Sequence, residues 1–390
     1  MNIATTLSNY ATFEEKTLIN RFFKHEDIVP LINQLPSCFE IKKLGESVNG
    51  KSINAVKWGN GKTKVMLWSQ MHGDEATGTM ALFDLFNFIQ QDNETVKLIN
   101  ENCELLIIPM VNPDGAAIFT RRNAQQIDIN RDFLQTLTPE GKILKQARDG
   151  FAPHFGFNLH DQTTLWSVDS TLKPATLSYL APAFDQALSI NEVRKNAMLV
   201  IADMFKQLDQ ILPQHIGLFD DEYEPRAFGD NFQKAGTSTI LIEAGGYQDD
   251  SEKQEIRKYY FASILSGLIA IASKSYEQQS TENYFAIPQN NKQIFHIMIN
   301  NLVLNGIKVS VGINYDECPN YDGMGTIKSY IVEDIGDLSF CDAYQVYEAH
   351  DCILKGDILF NKAANFELLM ERQVILAFEN GYLKPNSYLS

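Results

Sequence analysis

Residues 64–90 read KVMLWSQ, MHGDE and ATGTMALFDLFNFIQ in succession. The first run is mostly apolar, the pattern of a strand buried on both faces in an α/β sheet. In the last run Met80, Leu82, Phe83, Leu85, Phe86 and Ile89 recur at helical spacing. His72 and Glu75 therefore fall on the bend between the carboxyl end of a strand and a helix. Open α/β sheets place their ligands at that end of their strands.

Working outward, ELLIIPMVN (104–112), FAPHFGFNLHD (151–161) and TSTILIEAGG (237–246) repeat the strand pattern. Helical periodicity covers about 139–149, 189–209 and 251–275. Strands alternating with helices predict an α/β fold, with a mixed, largely parallel central sheet and helices on both faces. Upstream, FEIKKLGESVNGKSINAVKWG reads as a hairpin turning at Val48-Asn49-Gly50, because Asn-Gly supplies a tight turn. Residues 1–36 read as helical segments with Phe22 and Phe23 facing inward and Pro30 and Pro36 as breaks. The polar stretch KSYEQQSTENY (274–284) sets a boundary near residue 280. The expectation is a large domain over 1–280 and a small β-rich domain over 281–390. In the latter KVSVGI, TIKSYIV, CDAYQVYEA and CILKGDILF are strand-like runs.

Of the 390 residues, 44% are hydrophobic and 21% charged, the balance of a globular protein. The formal net charge of -16 argues against nucleic acid and against an anionic membrane surface as partners. An anionic small substrate requires local arginines that make a positive pocket inside an acidic protein. Cys38, Cys103, Cys318, Cys341 and Cys352 form no CxxC pair, which fits reduced thiols in a cytoplasm. The N-terminus lacks a basic start followed by an apolar run, and no window reaches ~18 uninterrupted apolar residues. Neither a signal peptide nor a membrane span is expected, and the expected location is cytoplasmic.

The chemistry-bearing residues follow the same order along the chain. His72-x-x-Glu75 offers an imidazole and a carboxylate, both good zinc ligands, on one bend. A catalytic zinc takes three protein ligands and keeps one open position. Among His25, His154, His160, His215, His296 and His350, only His160 ends an apolar strand of the α/β region. His154 is placed at the far end of that strand. Asp161 is either an orienting partner for a ligand histidine or an ordinary turn aspartate. NPDG (112–115) reads as a turn. After it come Arg121, Arg122, Asn123, Asp128, Asn130, Arg131 and Asp132, a polar cluster in which arginine forks could take a carboxylate or form surface ion pairs. Glu243 sits in the apolar run ILIEAGG, as a structural ion-pair member or as a buried base.

This order resembles the M14 metallocarboxypeptidase family: HxxE, NPDG, then TRRNAQQIDINRDF (120–133), a strand ending in His and a strand ending in Glu. The middle segment is similar to the regulatory-carboxypeptidase form of the motif. The resemblance covers about residues 45–275. It implies one zinc ion held by His72, Glu75 and His160. It also implies Glu243 as general base, Arg121 as oxyanion stabiliser, and Asn130 with Arg131 and Arg121 as the substrate-carboxylate site. The substrate would be a peptide or other small amide with a free carboxylate.

Two positions depart from the family pattern. Gln126 stands where a glycine is usual, so a different turn is expected there. Tyr223, in FDDEYEPRAFGDN, is the nearest candidate for the cleft tyrosine, and the charged residues around it either read a charged substrate or form a solvated loop. Two other readings are an amidohydrolase of the aspartoacylase or succinylglutamate desuccinylase type, and a catalytically silent zinc-binding protein.

Overall fold

The computed structural model describes residues 3–169 and 171–385; residues 1, 2, 170 and 386–390 of the ranges above lie outside them. The apolar run at 64–70 forms the strand β3 (Thr63–Ser69), whose side chains alternate between two cores. Val65 and Leu67 enter one cluster, while Met66 and Trp68 enter the other. All four are wholly buried. A strand with no solvated face needs no polar alternation, which is why it reads as a continuous apolar run.

The hairpin of β1 (Glu40–Glu46) and β2 (Ser52–Trp58) closes with Glu46 opposite Ser52, and Gly50 takes a φ of 79° in the turn. β4 (Cys103–Ile108), β5 (Phe155–Asp161), β6 (Leu177–Leu180), β7 (Ile216–Leu218) and β8 (Ser238–Ala244) complete an eight-stranded mixed sheet. Its order is β1-β2-β4-β3-β5-β8-β6-β7. The central block β4-β3-β5-β8 is parallel throughout. Across it Ile107, Leu67, Phe157 and Ile240 stand in one buried row. The carboxyl ends of four parallel strands consequently share one edge, and this edge carries the HGDE bend, NPDG, His160 and Glu243.

α1 is His25–Asn33, α2 Thr77–Ile89, α3 Glu94–Asn102, α4 Pro139–Phe151, α5 Glu192–Leu208, α6 Phe228–Lys234 and α7 Gln254–Ser273. One face of the sheet packs in the cluster that holds α2, α5 and α7 side chains; the other packs with Leu144 of α4 and Phe228 and Phe232 of α6. Pro30 does not break α1 as the sequence suggests; it lies inside the helix. The helix ends three residues later, so the one intrahelical donor that proline removes is that to the carbonyl of Glu26.

NPDG is not merely a turn. Asn112 caps a short helix, Pro113–Ala117, by accepting from Gly115 N–H at 2.9 Å, and Pro113 occupies its first turn. The run 104–112 yields a strand only as far as Ile108, and Pro109, with no N–H for the ladder, follows it.

By its internal contacts the chain divides into two compact units. One holds the residues up to Thr164 with Ala175–Asn290, and the other holds Leu165–Pro174 with the residues from Asn291 onward. The second unit contains two four-stranded sheets. One is built on β9 (Ile294–Leu304), β10 (Ile307–Pro319), β11 (Thr326–Gly336) and β12 (Asp342–Glu348). The other is built on β13 (Ile353–Asp357), β14 (Asn365–Met370), β15 (Gln373–Glu379) and β16 (Tyr382–Leu383). The strand-like runs of the sequence do not include β9, β14, β15 and β16 of this unit, nor β6 and β7 of the first. The first half of β9 is buried at every position. None of the five cysteines is in a disulfide. Among the described residues no helix is long and apolar enough to cross a membrane.

The N-terminal segment is held to the first unit by a buried ion pair. Arg257 Nε donates to Asp84 Oδ2 at 2.7 Å, and its terminal nitrogens donate to the carbonyls of Leu18 (2.7 Å) and Glu15 (3.0 Å). Tyr10 Oη and Glu15 N–H complete the Asp84 carboxylate. Both charged side chains are excluded from solvent, so removing one leaves the other uncompensated. Arg257→Met is expected to lower the unfolding free energy by about 3–5 kcal/mol. Urea unfolding of the full chain, followed by tryptophan fluorescence, measures it; a loss below ~1 kcal/mol would show that the pair is dispensable.

Candidate metal centre

After β3 the chain turns through Gln70 at a φ of 52° and delivers His72 and Glu75 ahead of α2. This bend lies directly against the NPDG helix. A Cβ on Gly73 would fall 2.1 Å from Gly115 C, so only glycine permits the approach. Asn112 Nδ2 donates to Met71 O at 3.3 Å and Asp114 Oδ2 accepts from Asn49 N–H at 3.0 Å. The NPDG residues thus brace the bend from behind.

The structure brings His72, Glu75 and His160 together, each buried, with one ligand atom from each within 4.8 Å of the others. Glu75 is the hub. Its Oε1 lies 2.7 Å from His72 Nδ1, and its Oε2 lies 2.7 Å from His160 Nδ1. Burial opposes ionisation of Glu75, but the two imidazoles outweigh it and hold its carboxyl well below the usual range. His160 is pushed down, chiefly by burial. His72 is also buried, but Glu75 and Asp128 outweigh that and raise it.

Two nitrogens and one carboxylate oxygen, buried and converging, are the donor set of a catalytic zinc site. The far side of the His72 ring supports this fit. Its Nε2 lies 3.1 Å from Asp128 Oδ1. A proton held there leaves the Nδ1 lone pair for a cation. Asp128 is a residue that motif reading quoted without assigning a role. It also takes Arg121 Nε at 3.0 Å, and burial notwithstanding, His72 and Arg121 keep it ionised. Arg121, so anchored, points NH1 at Glu75 Oε1 at 3.2 Å.

Glu243 is the register partner of His160 on the adjacent parallel strand, which places the two backbones about 4.8 Å apart. It is buried, and its Oε2 has no hydrogen-bond partner. Burial first, then the charges of Glu75 and Asp161, push its carboxyl well above the usual range. His154 lies before β5, at the opposite end of the sheet, where its Nδ1 accepts from Lys64 N–H at 2.9 Å.

Asn130 and Arg131 stand on a one-turn helix, Ile129–Arg131, capped by Asp128. Asn130 Oδ1 accepts from Phe228 N–H at 2.9 Å. Arg131 Nε faces Glu224 Oε2 at 3.1 Å. Glu224, held at about 2 chiefly by its hydrogen bonds with Arg226, bridges the two guanidinium groups. Phe133 N–H donates to Arg226 O at 3.2 Å. The loop carrying half-buried Tyr223 is therefore laced to the Asn130–Arg131 turn.

Residues 26–167 match the family model of peptidase M14, described as zinc carboxypeptidase. Over those residues the chain is similar to the zinc carboxypeptidases of that family. Over 102 residues it is 28% identical to Carboxypeptidase 2 of Trichophyton rubrum, an alignment covering 26% of this chain and 19% of that protein. Over 114 residues it is 32% identical to Carboxypeptidase SOL1 of Arabidopsis thaliana, covering 26% and 23%. The chain thus spans about a fifth of the length of these curated relatives. Among solved structures it is similar to a metallo-carboxypeptidase from Burkholderia cenocepacia, with a TM-score of 0.52, 15% identity, and coverage of 64% of this chain and 69% of that one. A metallo-carboxypeptidase from Pseudomonas aeruginosa gives 0.51, 14%, 65% and 68%. At these identities the structural likeness concerns the fold alone.

Within the matched residues Gln126 takes a φ of 61°, the left-handed region that glycine favours, and its N–H donates to Asn123 O at 2.9 Å. A residue with a Cβ is strained in that backbone conformation. Gln126→Gly is therefore expected to stabilise the chain by about 1 kcal/mol, measured as an upward shift of the thermal midpoint. An unchanged or lower midpoint would show that no strain is stored there.

Proposed function

We propose that the chain is a zinc metallocarboxypeptidase that removes the C-terminal residue of a peptide, or of another small amide bearing a free carboxylate. The observation that carries this reading is the convergence of His72, Glu75 and His160 beside an unpartnered buried glutamate at the end of the next strand. His72 and His160 through Nδ1, and Glu75 through its carboxylate, would hold one zinc ion. When bound, zinc supplies a Lewis acid that polarises a carbonyl and makes water a stronger acid.

The chain's own residues do the rest. Glu243 is the general base: its raised proton affinity lets it take a proton from the attacking water and return it to the departing amine. Arg121, fixed through Asp128, directs a charged donor toward the side of Glu75 where negative charge develops on the substrate oxygen. Asn130 and Arg131, with Arg121, take the substrate carboxylate. Because the Asn130 carbonyl is engaged by Phe228, its NH₂ is the end left for the substrate. Arginines concentrated at this edge make an anion pocket inside a chain of net charge -16.

Glu243→Gln is expected to retain one zinc per chain by metal analysis while kcat falls about 10²–10⁴-fold. Turnover at the wild-type rate would remove Glu243 from the mechanism. Treatment with a chelator is expected to abolish hydrolysis, and stoichiometric zinc to restore it. Mass-spectrometric digestion of a peptide library should show loss of single C-terminal residues. Cleavage confined to N-acyl amino acids would overturn the peptidase reading.

A further inference from the structure

Lys253 stands one residue before α7, with its side chain inside the protein. A buried ammonium is costly unless its donors are met by acceptors. Its Nζ donates to Asp161 Oδ2 at 3.1 Å and to Ala244 O at 2.9 Å. Asp161 and Ala244 are register partners at the carboxyl ends of β5 and β8. Each directly follows a residue of the site, His160 and Glu243. The Asp161 carboxylate also accepts from Thr77 Oγ1 at 2.7 Å, at the first residue of α2. Its backbone N–H donates to Glu75 Oε2 at 3.1 Å. One ammonium, acting through one carboxylate and one carbonyl, therefore joins the three elements that carry Glu75, His160 and Glu243.

We propose that Lys253 is a positioning residue for the metal centre: it locks the strand ends bearing His160 and Glu243 together and, by holding Asp161, fixes the N–H that orients Glu75. This rests on the reading of His72, Glu75 and His160 as metal ligands. Apolar side chains of similar volume would fill this space at no greater cost in stability. What the charged pair adds is direction, since its hydrogen bonds have one geometry and hydrophobic contacts have many. Groups that orient ligands from behind typically change metal affinity or activity by about 10–100-fold when removed.

The test is the full-length double variant Lys253→Met with Asp161→Asn, which removes both charges together and leaves no lone buried ion. Zinc affinity is read by competition with a chromophoric chelator, alongside the thermal midpoint. The expected result is zinc binding weakened about 10–100-fold with the midpoint near that of the wild type. Zinc affinity within threefold of the wild type would overturn the proposal. Should the double variant fail to fold, Thr77→Val decides. That change removes only the hydroxyl partner of the Asp161 carboxylate and leaves Lys253 in place, and weakened zinc binding at an unchanged midpoint supports the proposal while wild-type binding overturns it. Because the readout is affinity, it stands apart from the peptidase reading; a wild-type chain that binds zinc but cleaves no peptide would end that reading alone.

Discussion

Glu75 is a buried carboxylate faced by two imidazoles, one guanidinium and one backbone N–H, and the edge of the sheet around it is organised to meet that single charge. Its neighbours come from three places in the chain: the bend itself, the Arg121 loop, and the end of β5, which gives both the His160 ring and the Asp161 N–H. None of these contacts is local in sequence except the one with His72. A buried anion of this kind is tolerated only where opposing charge is supplied from several directions. The sheet supplies the directions, because parallel strands stop in register and leave their continuations side by side.

The same condition explains the second tier of charges. Asp128, Asp161 and Glu243 add three carboxyl groups to a region already holding Glu75. Two of them are matched individually, Asp128 by Arg121 and Asp161 by Lys253. Glu243 has no such partner, and its affinity for a proton rises accordingly. Asp128 is held low, whereas burial raises Asp161 even with Lys253 beside it and raises Glu243 well above the usual range.

The strand, bend and helix of 64–90 were legible because each has a one-dimensional signature: an apolar run, polar punctuation, then 3.6-residue periodicity. His160 could be singled out because it terminates a second such run. The roles of Asp128 and Lys253 were not legible. Asp128 lies in a segment full of polar residues, and nothing in its spacing says that its carboxylate reaches a histidine ring 56 positions away. Lys253 precedes a largely buried helix, and a lysine usually faces water. Its burial depends on a left-handed backbone at φ 53°, a property that no periodicity reveals. Pro30 and NPDG were misread for a related reason. Proline signals a break or a beginning according to where the helix starts, and that is settled by the cap.

The division into units is interleaved, and this bears on how the polypeptide can be made. Leu165–Pro174, which begins four positions beyond Asp161, belongs with residues that start at Asn291. A ribosome that has released Asn290 has supplied everything the first unit contains. The short excursion, however, must wait through the synthesis of all the intervening helices and strands before its own partners exist. No single proteolytic cut can give two pieces that each keep a whole unit.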